Sequence, residues 1–203
     1  MDMTSWLVTS EEGLRKTVGE LPPRTRDKVR PSLDDHSTRF IAASPYVCVG
    51  TADGHGRMDV SPRGDDVGFV RVLDSSTIVI PERPGNRLAD TLTNLLKHPF
   101  IGLLFLIPGS PETLRINGRA RVQDGPPELL DSMAARGRVP KLAIIVDIDE
   151  VFVHCGRAAS RSRIWDHAVE WIDPRADLLI GDLIGMDSAQ TKEFLAGYNC
   201  SDL

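Results

Sequence analysis

The chain has 203 residues, 41% of them hydrophobic and 26% charged, with a formal net charge of −5. That composition suits a folded globular protein and excludes wholesale disorder. The acidic balance argues against general nucleic-acid binding, and the length provides one large domain with a core that needs no disulfide or metal staple.

The three cysteines, Cys48, Cys155 and Cys200, are widely spaced and form no CxxC pair, so they read as free thiols in a reducing compartment. The longest greasy run, IGLLFLIP at 101–108, is far too short to span a bilayer. The first residues, MDMTSWLVTSEE, lack a basic start followed by an apolar stretch. A cytoplasmic protein without membrane contact is expected.

Residues 1–32 are polar and mixed, with PPR at 22–24 interrupting any helix that starts near Ser10, and are expected to form an N-terminal extension. Ser32, followed three residues later by Asp35, is a helix start signal for LDDHSTRFIAAS, which ends before Pro45. From Tyr46 the texture changes to short β-type runs, YVCVGTA, RMDVS, GFVRVLD and TIVIP, separated by DGHG, PRGDD and DSS. Such spacing predicts a meander of antiparallel strands. Next, NRLADTLTNLLKHP places Leu88, Leu92, Leu95 and Leu96 at helical spacing, with Pro99 as the stop.

The pattern returns to sheet with IGLLFLIP, expected to be buried on both faces, and with TLRINGRARV, expected to have one dry and one wet, basic face. A helix over 126–138 and a long strand, LAIIVDIDEVFVHCG, follow. Six or seven strands in this order close most economically into a barrel, because closure removes exposed edges. The region from 167 to 203 is expected to be a helical appendage.

Cations collect at three strand ends. SPRG at 61–64 places a hydroxyl, a stiffened backbone, a guanidinium and a turn residue together. In RPGNR at 83–87, Gly85 and Asn86 are expected at the start of a helix, where unpartnered amides and the macrodipole favour an anion. Arg87 adds a planar fork there. In RAASRSRIW at 157–165, Arg157, Arg161 and Arg163 precede Trp165, whose indole beside a guanidinium suits a planar anionic ligand. Each cluster reads equally as a capped helix or a solvated loop when taken alone. The face of Thr113, Arg115, Asn117, Arg119 and Arg121 either lines the same site or faces water.

No HExxH, GxSxG, P-loop or GxGxxG occurs, and no histidine pair has helical metal-ligand spacing. No catalytic side chain and no metal site are therefore assigned. Anion seats without protein nucleophiles are reconciled by a cofactor that brings its own reactivity.

The succession YVCVGTADGHGRMDVSPRGD, FVRVLDSSTIVIPERPGNRLADTLTNLLKHPFIGLLFLIPG and ETLRINGRARV resembles the pyridoxamine 5′-phosphate oxidase-like proteins with an FMN-binding split barrel. The closer likeness is to a subgroup carrying SPRGD, RPGNR and ETLRxNG. The resemblance implies an α+β fold: a six-stranded antiparallel split β-barrel with peripheral helices over residues 33–166. It also implies a homodimer with FMN at the subunit interface, acting as an oxidoreductase on a small organic molecule.

Carried over by motif, the FMN contacts are Val60, Ser61, Pro62, Arg63, Ile80, Asn86, Arg87 and Thr113, with Arg161, Arg163 and Trp165 from the C-terminal segment. The chain has DVSPRG where true pyridoxamine phosphate oxidases have an R-x-x-x-L-K type strand, so oxidation of vitamin B6 phosphate is not expected. A flavin-binding sensor or carrier without turnover, a haem- or F420-binding barrel, and a pure interaction module are the alternatives.

Overall fold

The computed structural model describes residues 6–85 and 87–166, together with 185–187, 189–191 and 193. The expectations for Asn86 and for nearly all of the 167–203 appendage fall outside the described residues.

The seven strands are β1 (Tyr46–Ala52), β2 (Met58–Gly64), β3 (Arg71–Asp74), β4 (Thr77–Pro81), β5 (Phe100–Leu106), β6 (Thr113–Gln123) and β7 (Ala143–His154). They form one antiparallel sheet in the order β2-β1-β5-β6-β7-β4-β3. The strand count is seven, within the six or seven read from the β-type runs and one more than the resemblance implies, and the sheet is not closed, since β2 and β3 end the order without pairing to each other.

The sheet nevertheless coils about a single core. Val47 and Val49 of β1, Leu103 and Phe105 of β5, Leu114 and Ile116 of β6, Ile144 and Val146 of β7, and Ile78 and Ile80 of β4 are buried in one cluster. The two ends of the order approach each other, since Arg63 of β2 bonds Glu82 just past the end of β4, which a flat sheet does not permit.

Helices supply the cover that strand pairing does not. These are α1 (Glu11–Val18), α2 (Pro23–Arg26), α3 (Asp35–Ala43), α4 (Asp90–Lys97), α5 (Pro127–Ser132) and α6 (Arg157–Ser162). Ile41 of α3 and Leu95 of α4 join the core. α3 begins two residues later than the sequence signal suggests: Asp34, not Ser32, is the cap. Its carboxylate accepts from the Ser37 amide, and Ser37 Oγ accepts from the Asp34 amide, both at 2.8 Å. The Ser37 amide and hydroxyl, both donating to Asp34 Oδ1, hold the Asp34 carboxyl below its ordinary value.

α5 ends at Ser132 rather than running to 138, giving way to a turn in which Ala135 and Arg138 bridge. It covers the other face of β4 and β7, where Val79, Ala143 and Ile145 pack with Leu130 and Met133. The N-terminal extension extends the sheet edge: Arg30 exchanges backbone hydrogen bonds with Val151 at 2.9 and 2.7 Å. This is the stretch of β7 beyond its pairing with β4.

The register of β6 against β7 slips between Asn117 and Gly118. Glycine is required at this bulge, because a Cβ on Gly118 would collide with the carbonyl oxygen of Asp147. The extra residue is Asp149 of β7, so β7 changes phase there, while β6 keeps its plain alternation with Arg115, Asn117, Arg119 and Arg121 outward and Ala120 in the core.

Candidate functional site: a polar cavity between β2 and α4

Strand β2 is chemically inverted. Its inward positions are Asp59, Ser61 and Arg63, half-buried, whereas its outward positions Met58 and Val60 are 71% and 69% exposed. Alternation along a strand is strict, so no rotamer exchanges the two sets. The inward trio faces α4, which packs on β1, β2 and β6.

Helix α4 starts at Asp90, not at Asn86 or Arg87. Arg87 and Ala89 both adopt left-handed backbone, with φ of 63° and 58°, and Ala89 caps the helix without any side-chain hydrogen bond. Among the described residues no side chain caps the amides of the first turn, and the positive end of the helix meets the cavity. The expected leucine stripe shifts accordingly: Leu95 is buried and Leu92 partly so, while Leu88 precedes the helix and Leu96 is exposed. Thr91 and Asn94 take buried positions instead, Asn94 donating to Thr51 Oγ1 at 3.1 Å.

Between these elements lies a cavity of about 550 Å³. Asp59, Ser61, Arg63, Glu82, Arg83, Arg87, Asp90 and Thr91 supply its polar wall, and Phe69, Pro81, Leu88 and Leu92 its apolar wall. Arg63 donates from Nε to Glu82 Oε2 at 3.2 Å and from Nη1 to Ser61 Oγ at 3.0 Å and to the Pro62 carbonyl at 2.9 Å. Ser61 Oγ lies 2.8 Å from Thr91 Oγ1, which donates to Asp59 Oδ2 at 3.1 Å. Arg83 pairs with the buried carboxylate of Asp65 at 2.6 Å. Among the described residues Arg87 makes no ion pair.

Of the residues singled out from sequence, Ser61, Pro62, Arg63 and Arg87 come together on this cavity. Val60 belongs to the same strand but points outward. Ile80 is fully buried in the core; its successors Pro81 and Glu82 reach the cavity in its place. Thr113 opens β6 on the outward face, paired with Leu106 and His154, and does not line the cavity. Arg161 is exposed on α6, Arg163 is drawn to Asp166 at 2.6 Å, and Trp165 follows half-buried; none of the three lines the cavity.

Asp59, Glu82 and Thr91 belong to the cavity and were not picked out. Period-two counting back from Ser61 identifies Asp59. Glu82 sits in a loop, where no periodicity points to it.

The basic face of β6 is charge-paired. Arg115 bonds Glu150, Arg121 bonds Asp147, and Arg119 lies 3.9 Å from Asp149. Asp147 and Asp149 thus have partners across the strand pair. Arg115 also stacks 5.2 Å above the Phe152 ring, which meets His154 edge-on at 4.7 Å. Burial, reinforced by the Arg115 cation, pushes the His154 imidazole below its ordinary value. His154 and Cys48 lie on this outward face rather than in the core.

The outward face continues across β1 and β5 with Tyr46, Cys48, Leu104 and Leu106, and with Phe100, which is 50% exposed. The IGLLFLIP strand is therefore buried on its inner face and only partly covered on its outer one. Together with Met58 and Val60 this makes a contiguous apolar surface. Among the described residues no group of histidine, cysteine and acidic side chains is arranged to hold a metal, and no helix is long and apolar enough to cross a membrane.

A family model described as pyridoxamine 5′-phosphate oxidase matches residues 33–155. No curated protein matches the chain. Among solved structures, the HupZ protein of Group A Streptococcus is 19% identical with a TM-score of 0.50, over 60% of this chain and 93% of its own; at that identity the likeness is one of fold. A putative pyridoxamine 5′-phosphate oxidase from Lactobacillus delbrueckii is 20% identical, TM-score 0.48, over 61% and 95%. An FMN-binding protein from Syntrophomonas wolfei is 15% identical, TM-score 0.46, over 70% and 95%.

Proposed function

The chain belongs to the pyridoxamine 5′-phosphate oxidase family, and from that premise we propose that it is an FMN-binding protein that uses the flavin as an oxidoreductase on a small organic molecule. The observation that carries the reading is the placement of Arg63 and Arg87 on one cavity, beside the uncapped start of α4. A phosphoester fits this donor set: the open edge of Arg63, the Arg87 guanidinium and the first-turn amides of α4 offer protons to its oxygens. Phe69, Pro81, Leu88 and Leu92 supply the apolar wall for the rest of the ligand.

When bound, FMN would supply hydride or electron transfer. The chain's own share is binding, orientation and exclusion of water. Arg63 and Arg87 would hold the phosphate, Ser61 would steady Arg63 by accepting from its Nη1, and Pro62 would keep β2 extended behind them. Thr113, Arg161, Arg163 and Trp165 lie off the cavity of their own chain. We take them to serve the cavity of a second copy, in a homodimer joined through the apolar outward face. The domain so used is 33–166, and the exposed Cys155 thiol supports a reducing, cytoplasmic setting.

Titration of the purified protein with FMN, followed by flavin fluorescence and absorbance, tests the reading. Saturable binding with a perturbed flavin spectrum is the expected result; a colourless protein that leaves the FMN spectrum unchanged overturns it. A second reading, a flavin carrier without turnover, is favoured by the engagement of two of the cavity carboxylates: Glu82 is tied to Arg63 and Asp59 to Thr91. Reoxidation of the reduced flavoprotein that no candidate acceptor accelerates selects it.

A further inference from the structure

The guanidinium of Arg63 carries five N–H protons. Its Nε proton goes to Glu82 Oε2, and Nη1 serves both Ser61 Oγ and the Pro62 carbonyl. Nη2 has no protein partner among the described residues, which leaves one edge of the fork for a ligand of the cavity.

Ser61 and Thr91 extend this arrangement to Asp59. A continuous chain of hydrogen bonds thus runs from Glu82, just past the end of β4, through β2 to α4. The side chains at its head are largely covered, Arg63 16% and Glu82 23% exposed, so the bonds are only partly screened by water.

Resting on the phosphate reading of this cavity, we infer that Glu82 is a positioning residue for the anion: it holds Arg63 in the one orientation that presents Nη2. The assignment has a consequence of unusual sign. While Arg63 is present, the charge of Glu82 is neutralised and its orienting effect dominates, so losing Glu82 weakens anion binding. Once Arg63 is gone, Glu82 is an uncompensated carboxylate on the wall of an anion cavity, so losing it strengthens binding.

The test compares FMN, riboflavin and inorganic pyrophosphate, titrated into wild type, Glu82→Ala, Glu82→Gln, Arg63→Ala and the Arg63→Ala/Glu82→Ala double variant. Glu82→Ala should weaken FMN about two- to tenfold, a coupling usual for directly bonded neighbours, and leave riboflavin, which lacks the phosphate, unchanged. Glu82→Gln keeps an acceptor for Nε and should recover most of the loss. In the Arg63→Ala background, removing Glu82 should tighten FMN.

Glu82→Ala that binds FMN as tightly as wild type overturns the inference, as does an equal loss for riboflavin, which would mark a general structural role. The sign reversal across the variants with pyrophosphate, in a protein whose wild type does not bind FMN, supports the role of Glu82 and sinks the flavin reading alone. Wild type that binds neither sinks both.

Discussion

The two faces of β2 differ more than the two faces of any ordinary sheet strand. Inward, Asp59, Ser61 and Arg63 are hydrogen-bonded to one another, to α4 and to the loop after β4. Outward, Met58 and Val60 stand in solvent. A half-buried edge strand whose purpose was packing would carry the reverse pattern, because turning polar groups inward costs free energy unless each finds a partner. Here the partners are present, and the inversion leaves a polar cavity on one side and an uncovered apolar surface on the other. The comparison with β1 sharpens the lesson: its Val47 and Val49 point into the core in the usual sense, so the inversion is local to the strand that borders α4.

The largest expected effect on this two-faced arrangement comes from the bulge that holds the register of β6 and β7. Gly118→Ala drives a Cβ into the Asp147 backbone, which cannot move aside as a flexible side chain would. A loss of roughly 3 kcal/mol or more in unfolding free energy is expected, at the upper end for overpacking, and urea denaturation measures it.

On the inward face, Arg63→Ala should weaken FMN by about 1.5–3 kcal/mol, the range for hydrogen bonds to charged groups. The stranded Glu82 carboxylate places the effect toward the top of that range. Fluorescence titration reads the change, and equal affinity in variant and wild type removes Arg63 from the site.

On the outward face, Val60→Asp should leave the monomer folded, since the side chain is exposed, and should shift self-association toward monomer by about 2 kcal/mol, the scale of an interface hot spot. Sedimentation over a concentration series checks this, and an unchanged oligomeric state separates the apolar surface from dimerisation.

The smallest effect is a pH dependence. His154 has its pKa depressed, burial first and Arg115 second, so the folded chain resists protonation more than the unfolded one. The stabilising share of the neutral ring is complete above the ordinary value near 6.5 and is lost as pH falls from there through the lowered folded value. Unfolding midpoints of wild type should fall between about pH 7.5 and pH 5 more than those of His154→Gln.

Much of the architecture was legible because period and punctuation carry it. The runs from YVCVGTA to LAIIVDIDEVFVHCG appear as strands within three residues of their expected places, since each couples β-branched residues to turn residues. The SPRG corner was legible for the same reason: alternation places Ser61 and Arg63 on one side. The start of α4 was not, because Asn86 is a good cap and Ala89 a poor one; the chain begins the helix at Asp90 only after two left-handed residues, which local preference disfavours. The partners of the β6 arginines were not legible either, because they lie on β7, across a register that slips at Gly118.

Residue order alone determined the family, the strand succession and which residues of β2 share a face, since all three follow from local spacing. Tertiary structure decided which face turned inward, that Ile80 serves the core while Glu82 reaches the cavity, and that Thr113 and the C-terminal arginines stand apart from Arg63. Those outcomes depend on contacts between residues far apart in the chain, and the pairing of Arg63 with Glu82 forms only when the ends of β2 and β4 are folded against each other.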